Sequence, residues 1–192
     1  MLKVKNMNPI RTWYAGRRFR SRLEARWAVW FDAMKVPWEY ENLGFDVGNT
    51  RYLPDFEIPS WNMHIEIKPE HIKAKEQARL TAIVQAWGGE SGLAIIRGVP
   101  YYGEYVLEMA PYLYVYRFAT CRKCDGICYT DGEGGWGNLG KHTCGDHDRA
   151  PVEDDDRLLK AYTYAMGHEF EHFTAKHGPD AAAVRQKQEG GV

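Results

Sequence analysis

The stretch that most constrains the fold of this chain is residues 51–68, RYLPDFEIPSWNMHIEIK. Residues 52–58 have the composition of a β-strand, and residues 59–62 (PSWN) are typical of a turn. Residues 63–68 alternate apolar and polar side chains, which predicts a second strand. The stretch therefore predicts a β-hairpin.

The second predicted strand places two chemically useful side chains on one face. Because side chains alternate along a strand, Glu66 and Lys68 point the same way, opposite to Ile65 and Ile67. If the hairpin pairs tightly, Asp55 returns beside them. Two carboxylates hold a hard cation such as Mg²⁺ or Mn²⁺ through oxygen, and the cation activates a phosphodiester for hydrolysis. A lysine there stabilises the developing charge. His64, on the same face, is a weaker candidate for substrate contact.

The sequence Pro54-Asp55 followed by Glu66-Ile67-Lys68 resembles the motif of the PD-(D/E)XK nuclease superfamily in order, spacing and strand context. The resemblance implies a restriction-endonuclease-like αβββαβ core and Mg²⁺-dependent cleavage of DNA. It also implies that Asp55, Glu66 and the backbone carbonyl of Ile67 bind the metal. Lys68 would position or activate the attacking water.

Residues 19–35 predict a helix with an apolar stripe at helical spacing. Ser21 and Glu24 fit a capping box, with Ser21 as the N-cap. In the superfamily, a glutamate near the start of this helix completes the metal site. Both roles stay open for Glu24, and they are compatible. A strand is predicted over residues 38–46 after the helix.

Residues 70–87 predict a second helix, closed by two glycines, and residues 93–97 predict a buried strand. Lys73 and Gln77 lie four residues apart on one helical face. The resemblance implies that such side chains reach toward the phosphate, whereas a solvated helix face is the ordinary alternative.

Charge is unevenly distributed although the net charge is only -1. Basic residues crowd the first 26 positions, which is the electrostatic footprint of phosphate contact, with a solubilising helix face as the alternative. The candidates for nucleic-acid contact in this region are Arg17, Arg18, Arg20 and Arg22. No run is apolar enough to span a membrane, and no signal peptide is evident. We therefore expect a cytoplasmic protein.

All four cysteines fall between residues 121 and 144. The spacings Cys121-x-x-Cys124 and Cys144-x-x-His147 predict a tetrahedral structural Zn²⁺ site. Cys128 and His142 are alternative ligands, so one member of the set stays open.

Residues 154 to about 176 predict a C-terminal helix that starts with three aspartates. His168-Glu169-Phe-Glu-His172 resembles the His-Glu-x-x-His motif of zinc metalloproteases. A third ligand would have to come from the last twenty or so residues, so a solvated helical face is the favoured interpretation.

Together these observations predict an α/β protein with four regions. They are a basic arm (1–14), a nuclease core (15–118), a zinc knuckle (119–150) and a C-terminal helix with a tail (151–192). The favoured function is Mg²⁺-dependent hydrolysis of DNA. The alternatives are a non-catalytic nucleic-acid binder on the same fold and a zinc metalloprotease. DNA is the expected partner, and cleavage of both strands would favour a homodimer.

Overall fold

The computed structural model describes residues 9–47, 50–87, 91–101, 105–109, 114–131, 136–140 and 155–170. Within these ranges the protein is mixed α/β, with a mostly antiparallel sheet and three α-helices. The elements in chain order are β1 (Thr12–Tyr14), β2 (Arg17–Phe19), α1 (Arg22–Ala33), β3 (Glu39–Tyr40), β4 (Phe45–Val47), β5 (Thr50–Tyr52), β6 (Phe56–Ile58), β7 (Met63–Lys68), α2 (Ala74–Ala86), β8 (Gly92–Gly98), β9 (Tyr105–Met109), β10 (Tyr114–Thr120), β11 (Ile127–Thr130), β12 (Trp136–Asn138) and α3 (Asp156–Gly167).

The main sheet has the strand order β12-β11-β10-β9-β8-β7-β6-β3. Among the described strands, only β7 and β8 pair in parallel, and α2 connects them. A parallel pair needs such a crossover, because a tight turn can join only antiparallel strands. Two further pairs, β1-β2 and β4-β5, form separate two-stranded sheets.

The two faces of the main sheet carry different cores. On one face α1 and α3 pack over Ile65 and Ile67 of β7. On the other face α2 and the β4–β5 hairpin enclose Leu93 and Ile95 of β8. The predicted alternation in residues 63–68 is confirmed, because His64 and Glu66 lie among side chains on this second face.

Helix α1 begins where its capping box predicts. The Ser21 hydroxyl accepts from the Glu24 N–H at 3.2 Å and donates to Glu24 Oε1 at 2.7 Å. Three fully buried aromatic side chains, Trp27, Trp30 and Phe31, anchor the helix to the core. The helix is shorter at both ends than the predicted 19–35.

The prediction of a single strand over residues 38–46 is wrong, because β3 and β4 occupy this range as two separate strands. Glu41 has a φ of 47°, a left-handed conformation that turns the chain out of the strand direction. Its N–H donates to the Asp55 carbonyl at 2.9 Å, and the chain then builds the β4–β5 hairpin. The strand predicted over 52–58 is likewise divided between β5 and β6.

The two later helices also differ from their predicted ends. Helix α2 begins at Ala74, four residues after the predicted start. Helix α3 ends at Gly167, nine residues before the predicted end. Among the described residues, no helix is long and apolar enough to cross a membrane.

Candidate functional site

The predicted carboxylates and lysine line one cavity of about 480 Å³ beside β7. Asp55 enters it just before β6, Glu66 and Lys68 enter from β7, and Glu24 enters from the first turn of α1. The cavity also includes Ile67. The fold thus brings together all the residues that the motif predicted, although Glu24 and Asp55 are 31 positions apart in sequence.

Asp55 is held in place by the hairpin itself. Its Oδ2 accepts a hydrogen bond of 2.7 Å from the Ile67 N–H, and only 2% of the residue is exposed. Burial raises the pKa of Asp55 well above its ordinary value, and the negative charges of Glu66 and Glu24 raise it further. Burial therefore makes the ionised carboxylate costly, and a cation beside it, such as the Arg20 guanidinium or a bound metal ion, offsets that cost.

Glu66 and Lys68 form an ion pair on the same strand face. Lys68 Nζ lies 2.6 Å from Glu66 Oε1 and 3.2 Å from Glu76 Oε1. The hydroxyl of Tyr52 donates to the other Glu66 oxygen at 3.0 Å. Burial alone would lower the pKa of Lys68, but the two glutamates hold it above its ordinary value. Lys68 is therefore a fixed cation in the cavity.

Glu24 shares the cavity lining with the other two carboxylates. Its Oε1 accepts a hydrogen bond from the Ser21 hydroxyl at 2.7 Å. Its Oε2 accepts from the Tyr40 hydroxyl at 2.5 Å and from the Arg20 N–H at 3.2 Å. Both oxygens are thus engaged by neighbours in the chain. This arrangement confirms the capping role of Glu24, and its predicted role in the metal site, which is compatible with capping, stays a prediction.

Three arginines form a positive rim around the carboxylates: Arg20, Arg51 and Arg79. The Arg20 guanidinium contacts Asp55 and lies 2.8 Å from Glu41 Oε1. Sequence reasoning selected Arg20 for phosphate contact but missed Arg51 and Arg79. Arg51 lies four residues before Asp55, inside the stretch that carries the motif. This closeness in sequence was the signal that could have identified Arg51 as a residue of the site.

The other residues predicted to contact nucleic acid do not line this cavity. Arg17 is exposed, and its guanidinium lies 5.6 Å from the Trp38 ring. Gln77 accepts from Arg97 at 3.3 Å. The remaining members of the set, Arg18, Arg22 and Lys73, have exposed side chains outside the cavity lining.

His64 does not reach the cavity either. It is buried, and its ring packs against Phe45 and Trp87. Burial lowers the pKa of His64. The interpretation of His64 as a substrate contact is therefore wrong, and its role is packing.

The carboxylates fit a hard divalent cation. Within the described ranges, no three His, Cys, Asp or Glu side chains form a group that could hold a metal. The cavity offers three acidic side chains, Asp55, Glu66 and Glu24, and neighbouring groups of the chain engage the oxygens of each of them. Mg²⁺ is commonly held by one or two carboxylates and keeps several waters, so this donor set suits it.

The cysteines are only partly within the described ranges. Cys121 and Cys128 are buried in one small cluster, and Cys124 packs against it. A tight turn joins them, in which the Cys121 N–H donates to the Gly126 carbonyl at 2.8 Å. Cys144, His147 and His142 lie outside the described residues. The Zn²⁺ site therefore stays a prediction.

The helix expected to carry the metalloprotease motif ends before it. His168 is the C-cap of α3 with an extended ψ of 124°, and Glu169 and Phe170 follow without helical structure. The His168 ring makes edge contacts with Tyr14 and Phe170. His172 lies outside the described residues. The prediction of a helix through this motif is wrong at residues 168–170.

Comparisons with known proteins add no assignment. No protein-family model, curated protein or solved structure matches this chain.

Proposed function

We propose that this protein is a Mg²⁺-dependent deoxyribonuclease with a restriction-endonuclease-like core. The observation that carries the proposal is the meeting of buried Asp55 and Glu66 with Lys68 in one cavity. Buried acidic side chains beside a fixed lysine are costly to assemble, so such a cluster points to function. The surrounding arginines have the charge needed to hold a DNA backbone.

The order of elements supports the same proposal. When the inserted β4–β5 hairpin is set aside, the chain runs α1, β3, β6, β7, α2 and β8. This order matches the αβββαβ core of the PD-(D/E)XK superfamily, which the motif resembles. The motif residues also lie at the start of β6 and the end of β7, where that resemblance puts them.

In the proposed mechanism, Asp55 and Glu66 hold the ion and the Ile67 N–H fixes the orientation of Asp55. A bound Mg²⁺ supplies Lewis-acid polarisation of the phosphate and lowers the pKa of a bound water. Lys68, fixed by Glu66 and Glu76, positions the attacking water and stabilises the charge that develops on the phosphate. Arg20, Arg51 and Arg79 hold the flanking phosphates.

We also propose a structural Zn²⁺ held by Cys121, Cys124, Cys144 and His147. Support comes from the cysteine cluster at the turn between β10 and β11. Helix α3 ties this turn to the core, because Arg157 contacts the Asp125 carbonyl and donates to the Met34 carbonyl at 3.0 Å.

The test of nuclease function is cleavage of linear, circular and branched DNA with Mg²⁺, Mn²⁺ or EDTA. We expect metal-dependent cleavage that Glu66→Gln and Lys68→Met each reduce by at least about 100-fold, the usual contribution of such groups. Glu70→Gln is the matched control, because Glu70 is exposed and outside the cavity.

The possible outcomes separate the candidate functions. Cleavage that persists at full rate in Glu66→Gln would refute the proposed site. DNA binding without cleavage of any substrate would instead favour the non-catalytic binder.

A further inference from the structure

A second cavity of about 330 Å³ adjoins the carboxylate cavity and shares Arg51, Tyr52 and Leu53 with it. It lies on the β4–β5 hairpin and is also lined by Gly44, Phe45 and Asp46. This volume is at the lower end of small-molecule sites, roughly 300–1,000 Å³. A ligand whose phosphate lies among Arg20, Arg51 and Arg79 would therefore reach directly into it.

The chemistry of this second cavity combines apolar walls with a charged rim. The Phe45 ring is held by contacts with the rings of Trp87 and His64, at centroid separations of 4.9 Å and 4.6 Å. Leu53 stands between the two cavities and remains 40% exposed. At the edge of this cavity, Arg51 Nε lies 3.8 Å from Asp46 Oδ1. A fixed aromatic ring with a neighbouring arginine suits a planar, partly polar group.

On the basis of the proposed nuclease function, we propose that this cavity binds an unpaired nucleobase next to the phosphate to be cleaved. A nucleobase is the planar group that DNA carries beside each phosphate. A paired base is stacked inside the duplex and enters a concave site only after it leaves the stack. The preferred substrate is thus single-stranded DNA, or a flap or frayed end with single-stranded character.

Binding to labelled DNA measured by fluorescence anisotropy, with Ca²⁺ in place of Mg²⁺, tests this proposal. The probes are a single-stranded oligonucleotide of about 16 nucleotides and the blunt duplex of the same sequence. We expect the single strand to bind more tightly. Phe45→Leu should weaken its binding about 5- to 150-fold, the range for loss of one stacked base. Leu53→Ser should also weaken it, through the loss of apolar contact with the base.

The chain offers a matched control in Leu43→Ser. Leu43 is 50% exposed and belongs to the same segment, but it lines neither cavity. This variant should bind as the wild type does. Leu53→Ser is the decisive variant if Phe45→Leu disturbs packing, because the Leu53 side chain is already exposed.

Two results would overturn the base-binding site. One is equal affinity for the single strand and the duplex. The other is that Leu53→Ser and Leu43→Ser change the affinity for the single strand by the same factor. If either occurs while Mg²⁺-dependent cleavage is lost in Glu66→Gln, the nuclease proposal stands and only the base-binding site fails. If no DNA is bound or cleaved, both proposals fail.

Discussion

Arg20 holds an unusual place among the residues of the carboxylate cavity, because its guanidinium contacts the carboxylate that is proposed to bind metal. It bridges Asp55 and Glu41, and its backbone N–H donates to Glu24 and to Tyr40. The backbone and the guanidinium of Arg20 are therefore both held in place. A guanidinium and a metal ion would compete for Asp55, and a displaced Arg20 would be free to contact phosphate.

Arg20→Gln should therefore strengthen metal binding and weaken DNA binding. The dissociation constant for Mn²⁺, measured by isothermal titration calorimetry, should fall by at least about two- to fivefold, the size of an exposed ion pair, because Asp55 is buried in this pair. Arg22→Gln is the control, because Arg22 is exposed outside the cavity lining. Weaker Mn²⁺ binding in Arg20→Gln would mean that the arginine supports the metal site instead of competing for it.

At the scale of elements, the hairpin of β10 and β11 carries three cysteines in different surroundings. Cys128 Sγ lies 3.8 Å from the Gly126 carbonyl and 3.9 Å from Asn138 Oδ1, the geometry of a weak S–H donor. Cys121 and Cys124 have the two-residue spacing of a zinc knuckle. We therefore propose that they, and not Cys128, supply the zinc ligands from this hairpin.

Metal analysis of the purified protein checks this assignment. We expect about one Zn²⁺ per chain, as for a closed four-ligand site. Cys124→Ser should lose the zinc and lower the melting temperature, while Cys128→Ala should retain the zinc. Asp55→Asn should also retain it, because Asp55 is not among the proposed zinc ligands. Loss of zinc from Cys128→Ala would place Cys128 in the ligand set.

At the scale of the whole molecule, short-range patterns were the reliable guide. Alternation in 63–68 predicted which side of β7 Glu66 and Lys68 occupy, and the capping box predicted the start of α1. Contacts between distant segments left no such pattern, as with Arg20 and Asp55. The end of α3 had a local signal that was missed, because a glycine commonly ends a helix and Gly167 precedes His168.

The buried charge of Asp55 should also affect the stability of the whole protein. Its pKa is higher in the folded than in the unfolded chain, so protonation favours folding. This contribution is complete below about pH 4, the ordinary aspartate pKa, and is lost as the pH rises through the raised pKa.

Urea unfolding in EDTA at a series of pH values measures this effect. As the pH rises, the free energy of unfolding of the wild type should fall relative to that of Asp55→Asn. The fall should be about 1.4 kcal/mol for each unit by which the pKa of Asp55 differs between the folded and unfolded chains. Asp46→Asn, which removes an exposed carboxylate, is the control. If the difference in the free energy of unfolding between the wild type and Asp55→Asn is constant with pH, the cavity accommodates this charge without cost.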